Sequence, residues 1–207
     1  MRHSLLIHLH NEVKQVSWAI VDAAGRVIES ATQVAIDTVP KRPAWVLIPG
    51  TEVLLTRADI PSKQRQRIVQ AVPYALEEQL VTEVENLHFA VGKRDPQSGL
   101  ITVAVIARAR LEAYLQQLNA AGITPTLLSP DILAVPKPVE GWGMLYFDNV
   151  VLVRSGLDTG FAIESSCLSV VLQAALRDSQ GLLPSQITVF KGSQMVEFLT
   201  ELQALGL

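Results

Sequence analysis

His8 and His10 stand two residues apart in the run Leu5-Leu6-Ile7-His8-Leu9-His10, so on a strand both imidazoles project from one face. An H-x-H pair can begin a zinc site, which takes three or four ligands and, for catalysis, an open position. Only His3, His88, the single Cys167 and scattered carboxylates remain to complete one, and none lies at a ligand spacing. The polar face of a first strand is the better reading, and no metal is expected. Asp158-Thr159-Gly160 spells the triplet of aspartic proteases, whose chemistry needs two carboxylates sharing a proton. The chain carries one copy, between strand-like segments where Asp and Gly are ordinary turn residues. Ser165-Ser166-Cys167 offers hydroxyls and a thiol, yet no histidine follows and no nucleophile-elbow pattern surrounds it. Ser165 or Ser166 is expected as a helix N-cap instead. The glycine-rich phosphate loops G-x-x-x-x-G-K-[ST] and G-x-G-x-x-G are both absent. No catalytic residue and no cofactor is expected.

The segment 57–85 has the most distinctive charge order. Arg57, Lys63, Arg65 and Arg67 precede Glu77, Glu78, Glu83 and Glu85, so it runs from basic to acidic. Negative charge late in a helix opposes the macrodipole, so helix stability does not explain this order. It reads either as a solvated face or as an electrostatic docking surface for a protein partner. On the second reading Arg65, Arg67, Glu77, Glu78, Glu83 and Glu85 are the candidate contacts. Ile68, Val72, Leu76 and Leu80 repeat every four residues and are expected in the core.

The elements that must hold these residues alternate between strands and helices. Strands are expected at 4–10, 16–21, from Val27, at 44–48 and from Val53; 44–48 is a continuous apolar run of the kind covered on both faces. A helix begins after Ser62, a plausible N-cap, and Pro73 inside it predicts a kink or two short helices. A hairpin over 87–91 and 100–106 leads to a helix from Arg108 to Ala121, with Leu111, Leu115 and Leu118 on one face and Gly122 at C′. A connection with Pro125, Pro130, Pro136 and Pro138 follows as a boundary. Strands at 143–147, 150–154, 160–164 and 187–190 come next, with a helix over 166–177. A last helix carries Met195, Phe198, Leu199, Leu202 and Leu205. Meanders followed by helices, occurring twice, indicate an α/β protein with mixed sheets.

Composition agrees. The 207 residues are 49% hydrophobic and 18% charged, which excludes a disordered chain, and a net charge of −3 leaves no basic field for nucleic acid. One cysteine makes no internal disulfide and suits a reducing compartment. No secretory leader is expected, and the apolar stretches are too short to span a bilayer.

Ala71-Val72-Pro73-Tyr74-Ala75-Leu76-Glu77-Glu78-Gln79-Leu80, followed by Val84-Glu85-Asn86-Leu87-His88-Phe89-Ala90, resembles the signature of the type II secretion system protein L family. Val46-Leu47-Ile48-Pro49-Gly50, Val103-Ala104-Val105-Ile106-Ala107-Arg108, Leu118-Asn119-Ala120-Ala121-Gly122-Ile123, Leu152-Val153-Arg154-Ser155-Gly156 and Gly160-Phe161-Ala162 fall in family order. The resemblance is to the N-terminal cytoplasmic region. It implies an actin-like, ribonuclease-H-like fold related to the type IV pilus inner-membrane scaffold. Subdomains are expected at 1–49, 50–127 (inserted, carrying the signature helix) and 128–207. It also implies a scaffold on the cytoplasmic side of the inner membrane, recruiting the N-terminal domain of the secretion ATPase. Family members continue into a transmembrane helix and a periplasmic domain, through which they meet protein M; this chain reads as a soluble fragment. A homodimer is plausible. Nucleotide-binding actin relatives have glycine in two phosphate turns; here the corresponding turns read His10-Asn11-Glu12 and Phe147-Asp148-Asn149-Val150. No working ATP site is therefore expected. The rival readings are an actin-like ATPase that retains nucleotide and the pilus scaffold.

Overall fold

The computed structural model describes residues 3–10, 15–147, 149–178 and 184–190. They form three sheets with a helix against each, in two compact units that divide after Pro130. The expected last helix over 195–205 lies outside the described residues.

The first unit opens with a meander, β1 (Ser4–Leu9), β2 (Gln15–Val21) and β3 (Val27–Ala35), all antiparallel neighbours. Alternation along β1 buries Leu5, Ile7 and Leu9 and turns His8 to the other face. β4 (Ala44–Ile48) lies parallel to β1. It is covered on one face only: Ala44, Val46 and Ile48 are buried, but Trp45 is 49% exposed. A continuous apolar run therefore misled here, because period 2 carries Trp45 outward whatever its hydropathy.

β5 (Val53–Ala58), α1 (Arg65–Leu76), β6 (Leu87–Arg94) and β7 (Ile101–Ala107) then build a separate antiparallel sheet in the order β5-β7-β6. α1 lays Ile68, Val72 and Leu76 against Ala58, Ile60, Leu87, Ile101, Val103 and Val105. It runs unbroken through Pro73 as one helix, not two. The lost bond falls in its last turn, where Val69 is solvent-accessible and its carbonyl can turn to water. Ser62 is not the N-cap; Gln64 is, without a side-chain bond, and Ser62 Oγ accepts the Gln64 N–H at 3.2 Å instead. Leu80 lies beyond the helix in extended backbone, half-buried against the same cluster.

α2 (Arg108–Ala120) returns to the first sheet and packs Tyr114 and Leu118 among Leu5, Ile7, Leu9, Val16 and Val46. Tyr114 takes the inner position expected for Leu115, which is exposed. Gly122, at φ +72°, ends the helix as anticipated. Its N–H donates to Asn119 O, and the Ile123 N–H donates to Leu118 O, both at 2.9 Å, which closes a Schellman motif. The proline-rich stretch read as a connection contains β8 (Pro125–Pro130), parallel to β4 at the edge of the sheet β3-β2-β1-β4-β8. Proline is tolerated there because an edge strand has donors to spare on one side.

In the second unit β9 (Trp142–Phe147), β10 (Val150–Arg154) and β11 (Gly160–Glu164) form a meander, and β12 (Ile187–Phe190) pairs parallel to β9. α3 (Leu168–Asp178) seats Leu168 and Leu172 on Trp142, Met144, Val151 and Val153. A 3-10 turn over Ser165–Cys167 precedes it, so neither serine caps the helix. The Ser165 N–H donates to Asn149 O at 2.9 Å and its hydroxyl to Asn149 Oδ1.

Candidate docking surface

The charged segment is organised by α1. Burial of Ile68, Val72 and Leu76 leaves the opposite side of the cylinder to Arg67, Gln70 and Tyr74, three residues on successive turns. Tyr74 is 74% exposed. Glu77 and Glu78 follow three and four residues later, exposed in a 3-10 turn over Glu77–Gln79. They extend the outward face past the end of α1 and do not lie inside a longer helix. Val81 beyond them is fully exposed.

The other candidates have separate settings. Arg65 turns back onto β6, with Nη1 donating to Gly92 O at 2.8 Å and Nη2 to Val91 O at 2.6 Å. That fork ties the start of the helix to the sheet. Glu83 leads into a 3-10 turn over Val84–Asn86 and accepts from Asn86 Nδ2 at 3.4 Å. The Glu85 side chain is exposed, while its carbonyl accepts from Arg108 Nε at 3.4 Å. The structure thus groups Arg67, Glu77 and Glu78 around Tyr74, sets Glu83 and Glu85 on the following loop, and uses Arg65 as a clamp. Charge alone did not single out Tyr74. Its signal was position: it stands six residues after Ile68, off the four-residue stripe.

The remaining chemical candidates are held by local structure. His8 and His10 lie with their rings tilted at 54° and 5.0 Å between centroids, and His10 Nε2 lies 2.9 Å from Ser17 Oγ on β2. Among the described residues no group of three His, Cys, Asp or Glu could hold a metal ion. Gly160 of the Asp-Thr-Gly triplet is placed by packing, since a Cβ there would fall 2.2 Å from Val153 O and 2.5 Å from Ile132 Cγ2. Arg154 closes the same corner. Its Nη1 donates to Leu133 O and Val135 O at 2.8 and 2.9 Å, Nη2 to Leu157 O at 2.6 Å and Nε to Gly156 O at 3.2 Å. Of the two turns compared with phosphate loops, Asn11 and Glu12 lie outside the described residues, as does Asp148. Asn149, at φ +61°, is fastened to Ser165.

The model of the family "Type II secretion system (T2SS), protein L" matches residues 5–206. The chain belongs to the type II secretion system protein L family. Protein L of Pectobacterium carotovorum is 33% identical over 175 residues, 80% of this chain and 40% of the relative. That of Dickeya chrysanthemi is 34% identical over 139 residues, 67% of this chain and 34% of the relative. The chain thus spans less than half the length of these curated relatives.

Two solved structures share the fold. One is the cytoplasmic domain of EpsL, an inner-membrane component of the type II secretion system of Vibrio cholerae. Its TM-score is 0.78 at 23% identity, over 100% of this chain and 96% of that one. The other is the PilM-PilN type IV pilus biogenesis complex, with a TM-score of 0.69 at 12% identity, over 99% of this chain and 86% of that one. The family's fold is the actin-like α/β fold, with mixed sheets as the sequence suggested. Among the described residues no helix is long and apolar enough to cross a membrane.

Proposed function

We propose that this chain is the cytoplasmic part of an inner-membrane component of bacterial type II secretion. It acts as a non-enzymatic scaffold that recruits the N-terminal domain of the secretion ATPase and couples it to the membrane complex. Protein M is the proposed partner of the membrane and periplasmic parts that family members carry. The observation that carries the reading is the family match over residues 5–206, with relatives at 33 and 34% identity. The pilus-type neighbour shares the fold at only 12% identity, which favours secretion over pilus assembly.

The exposed face of α1 and the loop after it supply what a docking role needs. Tyr74 and Val81 are exposed apolar anchors, and Arg67, Glu77, Glu78, Glu83 and Glu85 give the rim its charge. Aromatic anchors supply much of the affinity at protein interfaces, and rim charges chiefly set on-rate and salt dependence.

The test is size-exclusion chromatography of the purified chain with the ATPase N-terminal domain at micromolar concentration. Co-elution at low salt that weakens as salt rises is the expected result. Glu83→Lys with Glu85→Lys should weaken binding about tenfold, the order of effect of a few rim charges. Two separate peaks at low salt would remove the scaffold reading.

A further inference from the structure

The loop that carries Glu83 and Glu85 enters β6 at the end of the β5-β7-β6 sheet nearest the first core. There Val53 of β5 pairs with Ile106 of β7, which also pairs with His88 of β6. Val53 and Ile106 belong to the core that Tyr114 and Leu118 of α2 complete. α2 starts at Arg108, directly after β7, so its first turn stands beside the loop. That turn carries two arginines that reach across to the β5-β7-β6 sheet. Arg108 Nε donates to Glu85 O at 3.4 Å and Nη2 to Leu87 O at 3.1 Å. Arg110 pairs with Glu52, in the turn before β5, at 3.4 Å, and its guanidinium lies 4.7 Å from the centre of the Tyr114 ring.

Arg108 is the hydrogen-bonded tie between the loop and the rest of the chain ahead of the β6 ladder. Among the described residues, the other hydrogen bonds of 80–86 stay within 77–87. The Leu80 N–H donates to Glu77 O at 3.2 Å, the Asn86 N–H to Glu83 O at 3.0 Å, and the Leu87 N–H to Val84 O. Arg108 makes no ion pair with the carboxylate of Glu83 or Glu85. It engages the backbone, which fixes the path of the loop and leaves both acids exposed. A planar fork holds two carbonyls two residues apart, and an ammonium on a flexible stem does not reproduce this. We propose that Arg108 is the positioning residue of the docking loop, presenting Glu83 and Glu85 to the partner and tying their loop to α2. The proposal rests on the docking reading above and adds what makes that surface competent. A loop ordered before contact has less conformational freedom to lose on binding.

Calorimetric titration of the full 207-residue chain with the ATPase N-terminal domain measures this. Arg108→Met should raise the dissociation constant about tenfold, as when the competent loop path is populated a tenth of the time. Arg108→Lys should raise it by less, since it keeps the charge but not the fork. With Glu83→Gln and Glu85→Gln already in place, Arg108→Met should change the constant by less than about twofold, because the loop it orders no longer contributes. A general loss of structure would instead weaken binding equally in both backgrounds. In the chain alone, the amides of Asn86 and Leu87 should exchange faster in Arg108→Met, with those of α1 unchanged. If Arg108→Met binds as well as the parent, or loses as much in both backgrounds, the proposal is overturned while the docking reading stands. Unaltered exchange at Asn86 and Leu87 also overturns it. No binding by the parent ends both readings together.

Discussion

Arg65, Arg94, Arg108 and Arg154 all donate to backbone carbonyls. Arg94 holds Ile60 O and Ser62 O at 2.7 Å and also reaches Gly99 O; Arg154 gathers four carbonyls around one guanidinium. A planar fork of donors suits this use, and an ammonium does not reproduce it. Replacing Arg154 with Met should lower stability by about 3 kcal/mol, because half-buried carbonyls lose charged donors; Arg154→Lys should recover only part of that in urea unfolding. Asp95 is the acidic counterpart. Its carboxylate accepts from the Ser98 N–H at 3.0 Å and the Gln97 N–H at 2.7 Å, which together hold its pKa below the usual aspartate range. A lowered pKa means the turn gains its full support above about pH 3.9 and loses it as pH falls through the lower folded value. The amide resonances of Gln97 and Ser98 should therefore move together below about pH 4, and Asp95→Asn should abolish the transition. None of these roles was legible in the sequence. Arg65 reads the same on paper whether it faces a partner or a carbonyl, and only the register of β6 against α1 decides.

Elements were more legible where period and punctuation agreed. The hairpins, the meander of β9 to β11 and the stop of α2 at Gly122 all follow from local rules. Gly122→Ala should cost about 1 kcal/mol by thermal melting, and the reason is conformational: a Cβ there meets only Lys41 Cδ at 3.5 Å, whereas φ +72° is unfavourable for any L side chain. Leu76→Ala, which opens a hole between α1 and its sheet, should cost about 3 kcal/mol. Misreadings arose where a tertiary choice overrode a local one. Prolines at 125 and 130 argued for a connection, yet they sit at the first and last positions of an edge strand. Leu115 satisfied a helical stripe as well as Tyr114 does. The ring filled the inner site, with the Arg110 guanidinium 4.7 Å from its centroid.

For the whole molecule, the family was readable because its motifs fall in order along most of the chain, and the match over residues 5–206 agrees. The docking residues were not readable to the same degree, since exposure depends on which face of α1 the sheet covers. The actin-like fold also frames one test of the non-enzymatic reading. A nucleotide at a hundredfold over its dissociation constant adds about 2.7 kcal/mol. For a domain of this size that is a melting shift of roughly 5–11 °C. Magnesium and ATP should produce no such shift up to millimolar concentration, with magnesium alone as the control. A shift of that size would promote the ATPase rival.

β8 has a consequence in time. It pairs with β4, yet it is separated from it in the chain by the whole β5-β7-β6 sheet. At bacterial rates of roughly 5–20 residues per second, the ribosome takes some 4–16 s to travel from the end of β4 to the end of β8. Throughout that interval one edge of β4 has no strand beside it, while the nearby β6–β7 hairpin can form from neighbouring residues. The nascent chain therefore finishes its second sheet before its first, and whatever shields β4 from other chains in those seconds governs the yield of folded protein.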